Sequence, residues 1–170
     1  AVDIPQGTAI ISAHLELQAD KADKEGTLEP VNVIIQGELS PDAALFANVA
    51  NNITDRPLTE ASVMWSIEPY TEIGQRVQSP DLSAIIQEIV NQDGWTAGNG
   101  LALIIMDDPN NPSTGLRESE AGPGDDSATL VIEAFIPFAR NPMPANGAVE
   151  VKDLAGGSWT AADGAVSYNI

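Results

Sequence analysis

Side-chain oxygen is the most abundant chemistry in this chain. Asp107-Asp108-Pro109-Asn110-Asn111, Glu118-Ser119-Glu120 and Asp125-Asp126 fall in one long stretch rich in Asp, Asn, Gly and Pro. Ca²⁺ takes about six to eight oxygens from carboxylates, amides and backbone carbonyls, and loops of this composition can supply them. Asp107, Asp108, Asn110, Asp125 and Asp126 are therefore the candidate Ca²⁺ ligands. The Asp20–Glu25 region with Asp3 is a weaker second place for a cation. No spacing matches an EF-hand or a nonapeptide Ca²⁺ repeat. The competing reading is that these acids are solvated turns that keep an acidic protein in solution.

Other chemistries have fewer residues to draw on. A glycosidase needs two acids about 5–10 Å apart in a cleft, one with a raised pKa. The chain has 25 Asp and Glu, so chance pairs abound, and none lies in an apolar run that would raise a pKa. His14 is the only imidazole and occupies an outward position of a strand. It has no second His for Zn²⁺, and no Gly-x-Ser-x-Gly turn accompanies it. There is no Cys, which removes disulfides, thiolate metal sites and thiol catalysis. The expectation is a protein that is not an enzyme.

Sugar recognition would use aromatic faces and arginines. Only 5% of the chain is aromatic. Trp65 on a strand and Trp95 at a helix end read as core, and Trp159 as core of a later segment. Tyr70, next to Pro69, is the candidate exposed platform. Arg56, Arg76 and Arg117 are rare cations suited to bidentate carboxylate recognition, as in uronate polymers. Their alternative role is internal pairing with the abundant acids.

The charge narrows the partners. Seven Lys and Arg against 25 acids leave a formal charge of −18. No basic patch for nucleic acid can be built from so few cations, and anionic membrane surfaces would repel the chain. No apolar run approaches a bilayer-spanning length, so membrane insertion is not expected. The start, Ala1-Val2-Asp3-Ile4-Pro5, has neither the basic nor the apolar run of a signal peptide. An acidic chain without Cys fits an exported bacterial protein, with an extracellular or cell-surface location.

Positioning falls to short strands. With 43% apolar residues over 170, the chain can bury a core. Ala13, Leu15 and Leu17 alternate with His14, Glu16 and Gln18, which predicts a half-buried strand over Thr8–Leu17. Further strands are predicted at Val31–Leu39, Ala61–Ile67, Leu101–Met106 and Ala128–Ala134, the continuous apolar run Leu101–Met106 being the central one. Pro41–Phe46 could form a helical turn, and Ala47–Thr59 reads as a long polar connection. Ser79-Pro80-Asp81 is a helix start, and Leu82, Ile85, Ile86, Ile89 and Val90 form an amphipathic stripe. Gly94 ends it, giving a helix over 80–92 that lays one face on a sheet.

Six stretches in order carry a family resemblance. They are Ile4-Pro5-Gln6-Gly7-Thr8-Ala9-Ile10 with Ala13-His14-Leu15; Ile34-Ile35-Gln36-Gly37-Glu38; Arg56-Pro57-Leu58-Thr59; Val63-Met64-Trp65; Gln78-Ser79-Pro80-Asp81-Leu82 with Ile86-Gln87-Glu88-Ile89-Val90; and Gly94-Trp95-Thr96-Ala97-Gly98-Asn99-Gly100-Leu101. Together residues 2–135 resemble extracellular β-sandwich modules of the DNRLRE type. The resemblance implies a jelly-roll-like sandwich crossed by one short helix; some relatives bind polysaccharide and many have no known role. Ala139-Arg140-Asn141-Pro142-Met143-Pro144-Ala145-Asn146-Gly147-Ala148, Ser158-Trp159-Thr160 and Ala165-Val166-Ser167-Tyr168-Asn169 resemble the opening of a fibronectin type III-like module. Neither resemblance brings catalytic residues.

The expected organisation is a mainly β, antiparallel sandwich over 1–135, a Pro-rich linker over 136–146, and a partial second sandwich over 147–170. Strand signals run up to Ile170, and in the resembling modules strands precede the Ile-Pro-Gln-Gly stretch. Both lead to the expectation of a piece of a longer protein. The expected function is adhesion or polysaccharide binding by a non-catalytic, Ca²⁺-stabilised extracellular module. The alternative is a structural subunit of a filament or surface layer, assembled with other surface chains or its own copies by strand pairing.

Overall fold

The alternation in the first strand signal becomes β1, Ala9–Gln18, whose Ala13 and Leu15 are buried while the residues between them are partly exposed. The computed structural model describes residues 2–22, 28–121, 127–135, 139–143, 158–161 and 165–169. Within these the protein is mainly β, with β2 (Val31–Glu38), β3 (Leu58–Ile67), β4 (Arg76–Gln78), one helix α1 (Ser83–Val90), β5 (Leu103–Asp107), β6 (Thr129–Phe135), β7 (Ala139–Met143), β8 (Ser158–Ala161) and β9 (Ala165–Asn169). All strand pairs are antiparallel. One sheet has the order β4-β1-β6-β9, a second β3-β2-β5, and β7 pairs with β8. β7 lies within the span expected as a linker, and β9 adds to the first sheet by pairing with β6.

The two larger sheets share one core. Ala13 and Leu15 of β1, Ile132 and Ala134 of β6, and Val31, Ile35, Trp65 and Ile67 of the second sheet join the buried face of α1. This is the arrangement of a β-sandwich with a helix tucked beside it. The centre of the second sheet is β2 rather than β5, because only β2 has a partner on both sides. Leu103–Asp107 lies at the sheet's margin, and Ile105 is exposed.

α1 buries Ile85, Ile86, Ile89 and Val90, as the stripe predicts. It packs against β1, β2 and β3. Gly37 permits this close approach: a Cβ there would lie 2.5 Å from Ile89 Cδ1 and 2.9 Å from Ile85 Cγ2. Overlap of that kind forces side chains off their rotamers and costs about 1–3 kcal/mol.

The helix begins at Ser83, later than the sequence suggests, because β1 claims the residues before it. Ser79 and Leu15 exchange two bonds: Ser79 N donates to Leu15 O, and Leu15 N donates to Ser79 Oγ, each at 2.9 Å. Leu82 N donates to Ala13 O at 2.7 Å. Ser79 therefore extends the sheet margin instead of capping the helix. The carboxylate of Asp81 stands at the helix entrance and accepts from Ala13 N (2.9 Å), Ser83 N (3.2 Å) and Ser83 Oγ (2.5 Å). Gly94, at φ +92°, supplies the left-handed turn after the helix.

Desolvation raises the Asp81 pKa, but the bonds from Ser83 and Ala13 outweigh it, and the net position is below the ordinary 3.8. A carboxyl depressed on folding contributes stability above its unfolded pKa and loses it as pH falls through the folded value. Asp81→Ala is expected to lower stability at neutral pH by about 1 kcal/mol, the usual loss for a helix-entrance acceptor. The difference from the parent chain should shrink to nothing as pH falls well below 3.8. Thermal unfolding followed across acid pH checks this; a gap that persists in acid would assign the loss to packing instead.

Candidate functional site

The connection between β2 and β3 is where the structure differs most from its sequence reading. It is a closed loop, not a polar tether. Leu39 N donates to Pro57 O at 2.8 Å and shuts the neck. The base is fixed to the 99–100 turn: Ala43 N donates to Gly100 O (2.9 Å), Gly100 N to Asp42 Oδ1 (2.8 Å), and Asn99 Nδ2 to Pro41 O (2.9 Å). A side chain at Gly100 would collide with Ala43 O at 2.7 Å, so the tight seat needs glycine. Pro41–Phe46 forms bends here, not the helical turn expected.

Arg56 organises the interior of this loop. Its Nε donates to Asn52 O (2.8 Å), Nη1 to Ala44 O (2.8 Å) and Nη2 to Leu45 O (3.3 Å). Nη1 also pairs with Glu38 Oε2, and the two side chains are only 9% and 10% exposed. The guanidinium lies 4.2 Å from the centre of the Phe46 ring. Ala47 N donates to Asn52 Oδ1 at 2.8 Å, and Asn51 takes a left-handed φ of +60° at the far turn. Compact loops closed at the neck and filled by their own side chains are frequent sites of function.

Among Asn48, Asn51 and Thr54, which are exposed as polar loop residues usually are, the loop also shows large apolar side chains to water. Leu45 is 93% exposed, Val49 64%, Phe46 54% and Ile53 52%. The described residues expose ten large apolar side chains, and four of them sit on this one loop. Val49 and Ile53, with Ala47, Asn48, Asn51, Asn52 and Thr54, line an open pocket of about 360 Å³. Single exposed apolar residues are ordinary, but a contiguous group marks a contact surface. The sequence reading missed this group. The signal for it was Leu45-Phe46, Val49 and Ile53 in an Asn-rich segment with no strand or helix to bury them.

The candidate sugar-binding residues do not form one site. Tyr70 was expected to be exposed; it is 1% exposed. The chain turns inward after Pro69, and the hydroxyl is satisfied by Ser119 Oγ at 2.9 Å. Arg56 is the internal pairing residue just described. Arg76 is on β4, 3.8 Å from Glu16, whose carboxyl is held low chiefly by the hydrogen bond from Gln78, and by His14 and Arg76 as well. Arg117 donates to backbone carbonyls of Glu68 (2.9 Å), Ile67 (2.8 Å), Glu29 (3.1 Å) and Leu116 (2.8 Å). Burial lowers the Arg117 pKa while Tyr70 and Glu68 oppose the shift. Beside them lies a cleft of about 330 Å³ lined by Leu28, Pro30, Asn32, Ser66, Glu68 and Arg117. Trp65 and Trp95 are buried, as expected, and Trp95 Nε1 donates to Ile4 O at 2.8 Å.

The acidic loop works on its own backbone. Asp107 Oδ1 accepts from Ser113 N at 2.9 Å, and the Ser113 hydroxyl first and this amide second hold the Asp107 carboxyl below its usual range. Asp108 Oδ1 accepts from Asn110 N at 2.9 Å and is buried. Successive residues at a strand end face opposite ways, and Asp107 is exposed where Asp108 is not. Among the described residues no three His, Asp or Glu gather as a metal would need. Asp125 and Asp126 lie outside the described residues, as do residues 23–25 of the Asp20–Glu25 region. No helix among the described residues is long and apolar enough to cross a membrane. No family model, curated protein or solved structure matches the chain.

The Glu38–Arg56 pair gives the loop a test of its own. Removing one partner of a buried pair leaves an uncompensated charge, which this loop can relieve by opening to water. Arg56→Met is expected to speed hydrogen exchange at the Ala47 amide by about tenfold or more while the β2 amides stay protected. Loss of protection in both together would mean that the pair holds the sheet and not the loop.

Proposed function

We propose that this chain is a non-catalytic adhesion module of an extracellular or surface-attached protein, making contact through the tip of the 40–56 loop. One observation carries the reading: the loop spends a buried ion pair and a fan of guanidinium bonds on fixing its backbone, yet leaves Leu45, Phe46, Val49 and Ile53 in water. A connection that merely joined two strands would need neither. A preformed loop binds with less ordering cost than a mobile one. The resemblance of residues 2–135 to DNRLRE-type modules, the absence of Cys and the strong negative charge support an exported setting.

The test replaces residues 45–53 with a Gly/Ser segment of the same length. Retention of the parent chain on a panel of bacterial cell surfaces and immobilised extracellular proteins is expected, with loss of about tenfold or more in the replaced chain while the β2 amides stay protected from exchange. Retention that survives the replacement would sink the reading.

Polysaccharide binding is the second reading, favoured by the Arg117 cleft. Its polar wall includes Asn32, Ser66 and Glu68, and Ser66 Oγ already donates to Asn32 Oδ1 at 2.6 Å. Arg117 is occupied with carbonyls and serves as the wall's support. Glu68→Ala is expected to weaken migration shifts in polysaccharide-loaded gels by about tenfold if neutral sugars occupy the cleft. Absence of any shift for the parent chain across neutral and acidic polymers would end that reading and leave the loop.

A further inference from the structure

We infer that the occupant of the loop tip is a basic protein surface, one that places an apolar side chain among flanking Lys or Arg. The inference rests on the reading that this tip makes contact, and adds the chemistry of what it contacts.

Two observations combine. The first is the apolar tip with its open pocket of about 360 Å³, wide enough to receive one side chain from outside. The second is the charge around it. Between Glu38 and Glu60 the only cation is Arg56. Its guanidinium is turned inward onto Glu38, Ala44 O and Asn52 O, so it gives the tip no positive face. Asp42 and Asp55 are exposed at the base of the loop, and the whole chain carries −18.

An apolar tip in this field discriminates among occupants. A second copy would bring the same acids against these, and like charges at a contact cost several-fold in affinity. Anionic lipid headgroups are repelled in the same way. A surface with cations around an apolar knob gains on both counts: the knob packs against Val49 and Ile53 at the pocket, and its cations are drawn by the acidic field of the chain, to which the exposed Asp42 and Asp55 of the same loop contribute. Four side chains and one pocket make a small contact, so a single encounter is transient and strong attachment comes from many modules acting together. Its association rate should fall as salt rises, since charges outside the contact act mainly on encounter.

The experiment uses the full chain and three probes. The first is an amphipathic helical peptide of Leu and Lys. The second is a peptide of equal charge with Gly in place of Leu. The third is phosphatidylcholine vesicles. The expected result is binding of the Leu/Lys peptide about tenfold or more tighter than the Gly/Lys peptide. L45S/V49S should abolish that difference at unchanged thermal midpoint, because both side chains are exposed. Equal binding of the two peptides, or a difference that L45S/V49S leaves intact, overturns the inference. So does capture by vesicles that L45S/V49S abolishes, which assigns the tip to lipid, or dimerisation that the variant abolishes, which assigns it to a second copy. Failure here with loss of retention in the loop-replaced chain condemns only the partner's chemistry; survival of retention there condemns the adhesion reading itself.

Discussion

The close approach of α1 to β2 at Gly37 is the constraint on which the remaining architecture depends. Ile85 and Ile89 occupy the space a side chain at Gly37 would fill. That contact ties the helix to the second sheet, while Asp81 and Leu82 tie its entrance to β1 of the first. One short helix thus bridges both layers. Thr59 adds to the same spot: its hydroxyl accepts from Gly37 N at 3.0 Å and donates to Ala61 O at 2.8 Å. Glu88, on the same helix, accepts from the Glu60 and Ala61 amides at 2.9 Å each and covers the start of the β3 margin. Covering part of a strand's free side limits unwanted pairing there.

The residue after Gly37 carries the consequence to the surface. The pairing of β2 with β3 shifts register between Gln36 and Glu38. Glu38 is buried away from the helix contact and meets Arg56, which in turn fixes the loop. A small residue on one face and a buried acid next to it therefore couple the packing of the core to the shape of an exposed tip. This gives the loop a fixed base without disulfides, in a chain that contains no Cys. Four exposed apolar side chains are then carried on a backbone that hydrogen bonds and an ion pair hold.

The candidate residues show how far residue type alone can mislead. Arginines in an acid-rich chain read as ligand-recognising cations, yet Arg56 spends its donors on carbonyls of its own loop and Arg117 on carbonyls at the end of β3 and just beyond it. Planar guanidinium, with five donors, suits tying several strands of backbone together as well as gripping a carboxylate. Tyr70 followed the same logic: its hydroxyl found Ser119 and its ring went inside. The acids of the 107–113 loop likewise hold backbone amides, because Asp and Asn side chains compete for nearby N–H groups in irregular segments. Each of these partners is remote in sequence or hidden in loop geometry, where periodicity carries no information.

Amino-acid order alone determined β1, β2, β3, β5, β6 and the helix face, but neither β4 nor β7. The alternation of Ala13, Leu15 and Leu17, the β-branched run Val33-Ile34-Ile35 and the spacing of Ile85, Ile86, Ile89 and Val90 are local patterns, and local patterns specify which side of an element avoids water. The antiparallel, mainly β class follows from them. The tertiary structure alone decided that β2 and not Leu103–Asp107 stands at the centre of its sheet, that Ser79 serves the sheet margin, and that Leu45, Phe46, Val49 and Ile53 remain outside. Those outcomes depend on which distant groups compete for the same donor or the same volume, and that competition exists only once the chain has folded back on itself.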